Sequence, residues 1–139
     1  MFENDHILAF LDVLPISQGH TLVIPKRHYV RTSEMPDEIG AMLGATLPKV
    51  SRAVSQTSQT TEFNVVNNNG PGAGQVVHHV HYHIVPSPSE SERWRKPKSA
   101  PYFAMGLGTR YELTEEEGER VAARIRAAIE PTSPGANKM

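Results

Sequence analysis

The sequence has no cysteine, no long apolar run and no excess of either charge, and each absence excludes a class of protein. Without cysteine among its 139 residues, the chain forms no disulfide, thiolate metal site or cysteine nucleophile. No stretch approaches the roughly 18 apolar residues of a membrane span, and the N-terminus lacks a basic-then-apolar signal pattern. We therefore expect a soluble protein without membrane contact, in the cytoplasm and with the nucleus as a second option.

The charge balance excludes nucleic-acid binding driven by bulk charge. Fourteen basic and fifteen acidic side chains give a net charge of -1, which leaves room only for a local phosphate site. The length fits one domain, which we place at residues 1–130, followed by a flexible C-terminal tail at 131–139.

The apolar pattern predicts an α+β fold. Strands are expected at 7–14, 20–24, 62–67 and 76–85, the first two forming a hairpin. A helix is expected from Pro36 to about residue 54 and a second one after Thr114, whose Thr-Glu-Glu-Glu run is a capping-box start. These elements predict an antiparallel sheet of about five strands with helices packed on one face.

The first helix and the later loops carry more detailed predictions. Thr32 or Ser33 is expected to cap the helix, Pro36 to lie in its first turn, and Pro48 to kink or interrupt it. Residues 86–101 are predicted to form an exposed loop or a partner-contacting arm, and 102–107 to be extended.

What the sequence does have is histidine. Four of its seven histidines, His78, His79, His81 and His83, fall within six residues. Because side chains alternate across a strand, His79, His81 and His83 share one face, and the apolar residues between them face the core. Three imidazoles therefore line up directly after a glycine-rich loop at 68–74.

Four interpretations of this strand compete. An exposed polar face is disfavoured by the regular alternation, and an expression tag by the position in mid-chain. In a metal site, His79 and His83 lie about 13 Å apart at 3.3 Å per residue, too far to meet one zinc ion easily. Phosphoryl chemistry fits best, because imidazole is a good nucleophile near neutral pH and a glycine-rich loop offers backbone N–H groups to phosphate.

The segment His79–Val85 resembles the His-φ-His-φ-His-φ-φ pattern of the histidine-triad (HIT) family of nucleotide hydrolases and transferases. The stretches 9–13, 19–28 and 68–75 resemble the other signatures of that family in the same order. The resemblance covers about residues 3–86 and is closest to the Hint-like, adenosine 5′-monophosphoramidase branch. It implies the HIT-like form of the α+β fold.

The resemblance also implies residue roles. His81 is expected to be the nucleophile that attacks the α-phosphorus, His83 an α-phosphate ligand and His79 the histidine that orients its neighbours. The remaining expected roles fall into four groups: Asp12 and Asn68 for the ribose and phosphate, Phe10 and Val13 for the base, Gly74, Gln75 and Val76 for the phosphate cradle, and His20 as a histidine behind the site.

The activity implied is hydrolysis of a purine nucleoside phosphoramidate or related adenylyl conjugate, releasing AMP through a nucleotidyl-histidine intermediate. Two alternatives stay open: a dinucleoside polyphosphate hydrolase of the fragile-histidine-triad type, and a nucleotide-binding regulatory protein with little turnover. Many relatives carry Ser or Thr where this chain has Val76, which puts phosphoramidate preference in doubt.

The resemblance further implies a homodimer, with no cofactor and no catalytic metal. Some relatives carry an N-terminal cysteine segment of the zinc-binding type. This chain starts after that region, so we expect no structural zinc and a leading strand that is shortened or missing.

Overall fold

The computed structural model describes residues 1–87 and 110–130. The strands are β1 (Phe2–Glu3), β2 (Ile7–Leu11), β3 (Thr21–Pro25), β4 (Phe63–Val66) and β5 (Tyr82–Pro86), and the helices are α1 (Asp37–Ser58) and α2 (Glu115–Ile129). The strands form one antiparallel sheet in the order β1-β2-β3-β5-β4. The predicted α+β architecture is confirmed, and the leading strand is present but only two residues long.

Both helices pack on the same face of the sheet. Alternate strand residues such as Ala9, Val23 and Ile84 are fully buried there against apolar side chains of α1 and α2. The resulting core consists of Ile7, Ala9, Val23, Leu43, Val50, Ala53, Val54, Val80, Ile84, Val121 and Ile125. The 3.6-residue period of the helices and the two-residue period of the strands therefore meet in one apolar layer.

The helix starts differ in how they are capped. The side chain of Thr114 accepts a hydrogen bond from the Glu117 backbone N–H at 3.3 Å, as predicted. The predicted cap of α1 is wrong, because Pro36 is the residue before the helix and Thr32 lies in a separate 3₁₀ turn. The acidic side chains in the first turn of α1, Asp37 and Glu38, favour that end through the helix dipole instead.

Pro48 does not interrupt α1, which continues through it for a total of 22 residues. Pro48 lacks the N–H that would bond the Gly44 carbonyl. Both residues are exposed on the outer side of the helix, so water can bond that carbonyl. The buried positions before and after them keep the helix on the core.

Three predicted strands are shorter than expected, the one at 62–67 by a single residue at each end. The strand at 7–14 ends at Leu11, because the Asp12 carboxylate accepts the Leu14 backbone N–H at 2.8 Å and turns the chain. The strand at 76–85 starts only at Tyr82, because its pairing with β3 ends at Val23 and Tyr82 and its pairing with β4 ends at Val66 and His83. Most of the predicted loop at 86–101, the extended segment at 102–107 and the tail at 131–139 lie outside the described residues.

Within 1–87 and 110–130, no helix combines the length and the apolar character needed to cross a membrane.

Candidate active site

A cavity of about 660 Å³ opens on the face of the sheet opposite the helices. Its floor crosses three strands, where Phe10 of β2, Leu22 of β3 and His83 of β5 are register partners. Its volume lies in the range of small-molecule sites. The cavity is lined by Phe10, Asp12, Leu14, Leu22, Ile24, Asn68, Gly74, Val76, Val77, His79, His81, His83 and Arg110.

All three histidines of the predicted triad line this cavity, although only His83 lies in a strand. His79 lies in a bend at residues 77–79, and His81 follows it just before β5 in chain that is not paired in the sheet. Between them, the Val80 backbone N–H donates to the Tyr29 carbonyl at 2.8 Å, and the Val80 side chain is buried in the core. The alternation expected for a strand thus holds for this segment without the strand.

The hydrogen bonds of His81 determine which of its ring nitrogens can react. Its Nδ1 lies 2.7 Å from the backbone carbonyl of His79, and a carbonyl can only accept, so Nδ1 carries the proton. In the neutral ring Nε2 then holds a lone pair. Whenever the His81 ring is neutral, its nucleophilic nitrogen, Nε2, is therefore available in the cavity.

His83 has the opposite tautomer. The Ile16 backbone N–H donates to His20 Nδ1 at 3.0 Å, so the proton of the fully buried His20 is on Nε2. His20 Nε2 lies 2.9 Å from His83 Nδ1 and donates to it, which leaves the proton of His83 on Nε2. His83 therefore offers a donor to a ligand in the cavity, and its ring lies edge-on to that of His81 at 5.0 Å between centroids.

Burial keeps His83 neutral. It lowers the pKa of this imidazole from 6.5 to about 4, with smaller contributions from the nearby charges of His81 and Arg110 and an opposing one from Asp12. The hydrogen bonds that run from Ile16 through His20 to His83 require a neutral His83 ring at physiological pH, because His83 Nδ1 must accept.

His79 orients His81 through its backbone and not through its ring. The His79 ring donates from Nε2 to the Pro25 carbonyl at 2.7 Å, and its Nδ1 lies 3.1 Å from Nδ1 of His28. His28 is exposed, yet it is paired with a member of the triad.

Asp12 and Arg110 form one end of the cavity. Arg110 Nη1 donates to Asp12 Oδ2 at 2.9 Å and to the Leu14 carbonyl at 2.8 Å. The same carboxylate oxygen lies 3.7 Å from Nε2 of His20. Asp12, the predicted ribose acceptor, is thus fixed by a cation that lies 98 positions further along the chain.

The glycine-rich loop is held by side-chain amides. The Gln75 Oε1 accepts the Gly70 N–H at 2.6 Å, and its Nε2 donates to the carbonyls of Val30 at 2.7 Å and Val77 at 3.0 Å. Asn68 Nδ2 donates to the Ala73 carbonyl at 2.7 Å across the same loop.

Gly74, which lines the cavity, has φ +82°, a left-handed conformation that favours glycine. Backbone conformation and amide bonds together therefore shape this wall.

The structure brings eight of the predicted site residues together and places three elsewhere. Those that line the cavity are Phe10, Asp12, Asn68, Gly74, Val76, His79, His81 and His83. Val13 is 71% exposed and outside the lining, buried Gln75 holds the loop, and His20 lies behind His83. Val76 lines the wall with an apolar side chain that is 85% exposed.

Sequence reasoning missed other lining residues. Leu22 and Ile24 could have been found, because they alternate with Val23 on β3. Arg110 has no sequence signal, since only the packing of residues 110–113 along the 12–15 loop brings it to the site. There the backbone N–H groups of Tyr111 and Leu113 donate to the carbonyls of Pro15 and Val13.

One cluster has the atom types of a metal site. Asp12, His20 and His83 each place a possible ligand atom within 4.8 Å of the others. The Ile16 N–H forces the proton of His20 onto Nε2, the nitrogen that would have to bind the ion. Arg110 also bonds the carboxylate. These three residues therefore fit a hydrogen-bond relay and do not fit a cation site.

Two curated proteins are similar to this chain in sequence. A HIT-like protein of Methanocaldococcus jannaschii is 45% identical over 92 residues, which cover 62% of this chain and 66% of that protein. The adenosine 5′-monophosphoramidase of Schizosaccharomyces pombe is 37% identical over 124 residues, which cover 86% of this chain and 82% of that protein. The chain thus spans just under two thirds of the archaeal relative and less of several others.

A solved structure and a family model agree with these relatives. A histidine triad nucleotide-binding protein of Sulfolobus tokodaii superposes with a TM-score of 0.75 at 30% identity, covering 92% of this chain and 80% of that one. The model of the HIT domain matches residues 1–90, which contain all three histidines of the triad. The resemblance found in the sequence is confirmed, and the chain belongs to the HIT family.

Proposed function

We propose that this protein hydrolyses a purine nucleoside phosphoramidate or a related adenylyl conjugate and releases AMP. The observation that carries the proposal is the pair of opposite tautomers in one cavity. His81 offers a lone pair on Nε2 and His83 offers a proton on Nε2. A nucleophile beside a hydrogen-bond donor is what displacement at an anionic phosphorus requires.

In the first step, Nε2 of His81 attacks the α-phosphorus. The N–P bond forms as the bond from phosphorus to the leaving group breaks, and the leaving group takes the electron pair and then a proton from solvent water. The positive charge that develops on the His81 ring is stabilised by the His79 carbonyl, which accepts from Nδ1. His83 donates from Nε2 to a non-bridging phosphate oxygen.

In the second step, water attacks the nucleotidyl-histidine. The new P–O bond forms and the N–P bond breaks. The attacking water returns a proton to the solvent, and AMP leaves with His81 restored to its neutral form. Because the proton on Nδ1 stays bonded to the His79 carbonyl throughout, the ring returns to the tautomer in which Nε2 can attack again. His83 keeps its neutral donor role because its pKa lies near 4.

The remaining lining residues suit a nucleotide. Asp12 accepts the ribose hydroxyls, Asn68 lies near the ribose and phosphate, and Phe10 with its apolar neighbours contacts the base. The S. pombe relative supports a nucleotide substrate, because it is named an adenosine 5′-monophosphoramidase and aligns over 86% of this chain.

We also propose that the protein is a homodimer. β4 is the last strand of the described sheet, and its residues Phe63 and Val65 are 38% and 44% exposed. Light scattering behind a sizing column measures the mass directly. A mass near twice 15.4 kDa is expected, and a single-chain mass at micromolar concentration would contradict the proposal.

Single-turnover mixing with adenosine 5′-phosphoramidate, followed by intact-protein mass spectrometry, tests the activity. The wild type is expected to gain an AMP-sized adduct or to release AMP, and His81→Ala to do neither. His78→Ala is the matched control, because His78 is an exposed histidine of the same segment that does not line the cavity.

The alternatives give different outcomes. Tight AMP binding without adduct or release would contradict the phosphoramidase activity. Turnover of a dinucleoside polyphosphate would then indicate the fragile-histidine-triad type of reaction, and binding of AMP without any turnover would indicate a regulatory nucleotide-binding protein.

A further inference from the structure

Asn67 bonds directly to the backbone of His81, and the sequence analysis did not select it. Its Nδ2 donates to the His81 carbonyl at 2.9 Å. Its Oδ1 accepts from the Thr32 hydroxyl at 2.7 Å and from the Asn69 side-chain amide. The side chain is part-buried and lies outside the cavity lining.

The donors around Asn67 can be assigned without ambiguity. Because the one hydroxyl proton of Thr32 goes to Asn67 Oδ1, the Tyr82 hydroxyl must donate to Thr32 Oγ1, 3.1 Å away. A continuous relay therefore runs from Tyr82 through Thr32 and Asn67 to the carbonyl of His81. An Asn amide used at both ends in this way has one orientation only.

The register of the sheet explains why this bond is needed. Backbone pairing between β4 and β5 ends at Val66 and His83. His81 lies two residues before that point, so its carbonyl has no partner in the β4–β5 ladder. The side chain of Asn67, the first residue after β4, bonds the carbonyl instead and extends the ladder by one bond.

We propose that Asn67 is a positioning residue for His81. This inference rests on the proposed function, in which His81 Nε2 must lie in line with the breaking bond. Misplacement of a nucleophile by a fraction of an ångström lowers the rate strongly while leaving ground-state binding nearly intact. Asn67 acts through His81, because its side chain does not reach the cavity.

Two substitutions remove the bond in different ways. Asn67→Asp keeps the shape and the acceptor for Thr32, but places an oxygen opposite the His81 carbonyl. Asn67→Ala removes the donor without adding a charge, so a loss shared by both variants is due to the hydrogen bond. Asn64→Asp, the same change within β4, is the matched control, because Asn64 does not line the cavity and pairs with Val85 in the sheet.

The readout is the rate of nucleotidyl-enzyme formation in a single turnover, measured beside the AMP dissociation constant. Both Asn67 variants are expected to form the adduct roughly 10- to 100-fold more slowly, with AMP affinity within about twofold and Asn64→Asp unchanged. Equal rates in wild type and variants would overturn the proposal. So would a joint loss of rate, AMP affinity and melting temperature, because the loop would then have collapsed as a whole.

If the wild type forms no adduct at all, the proposed function fails, and nitrogen NMR of the histidine rings decides the role of Asn67. In the wild type, His81 is expected to show one protonated and one unprotonated ring nitrogen. In both Asn67 variants the two shifts should move toward each other as the bond to the His79 carbonyl weakens. Shifts identical to the wild type would overturn the positioning role independently of any activity.

Discussion

The two faces of the sheet are built from adjacent residues of the same strands and are used differently. On the helix side, Ala9 pairs with Val23, and both are fully buried. One residue away from such core positions, Phe10, Leu22 and His83 form the floor of the cavity. A shift of one residue thus separates an apolar core from a reactive surface.

The comparison shows what each face requires of the rest of the chain. The core face needs only apolar area, which α1 and α2 supply. The cavity face carries buried polar groups, and each of them needs a partner. These partners come from loops far away in sequence, as when His20 bonds His83 and Asn67 bonds His81.

The largest effect is expected from His81→Gln, which removes the nucleophile from the cavity face. The value of kcat/KM for adenosine 5′-phosphoramidate should fall by at least about a thousandfold, while the melting temperature stays within about 2 °C because His81 is not part of the helix-side core. Steady-state kinetics and calorimetry test both parts. A kcat/KM of His81→Gln within tenfold of the wild-type value would contradict the assignment of the reactive group to the cavity face.

Ile125→Ala should give the opposite result. Ile125 is fully buried in the helix-side core, and truncating it is expected to cost about 2–5 kcal/mol of the free energy of unfolding. Urea unfolding measures this loss. Below the unfolding transition kcat/KM should stay within about twofold, and Arg120→Ala, an exposed change on the same helix, should alter neither quantity.

The third prediction concerns pH. Because burial lowers the pKa of His83 to about 4, the unfolded chain binds a proton below pH 6.5 that the folded chain does not bind. This contribution to stability is complete above pH 6.5 and is lost as the pH falls toward 4, by about 2 kcal/mol between pH 7 and pH 5. Urea unfolding of the wild type should show this loss of stability between pH 7 and pH 5, and the loss should be smaller in His83→Gln. The same loss in both proteins would mean that His83 does not titrate in this way.

The smallest effect is expected from Arg110→Ala. Without its bond to Arg110, the Asp12 carboxylate keeps the Leu14 N–H but loses its orientation toward the cavity. We expect KM to rise roughly three- to tenfold with kcat nearly constant, because only binding is affected. Arg124→Ala, which removes an arginine of α2 that bonds Thr57 outside the cavity, is the control. A loss confined to kcat would place Arg110 at the reacting phosphate instead.

Much of the fold and part of the site could be predicted from local pattern. The β2–β3 hairpin follows from two apolar runs separated by a short turn, and the start of α2 from the Thr114 cap. The start of β5 could not be predicted this way. Val76 and Val77 have strand-forming side chains, but a strand exists only where a neighbour pairs with its backbone, and the pairing with β3 and β4 ends at Tyr82 and His83.

The sequence by itself determined that His79, His81 and His83 would share one side of the chain, because they alternate with residues such as Val80 that face the core. Only the tertiary structure decided what each imidazole can do. The tautomer of His83 depends on the Ile16 N–H acting through His20, and that of His81 on a carbonyl two residues away. Proton positions follow from which donors and acceptors meet in space, and those partners become neighbours only when the chain is folded.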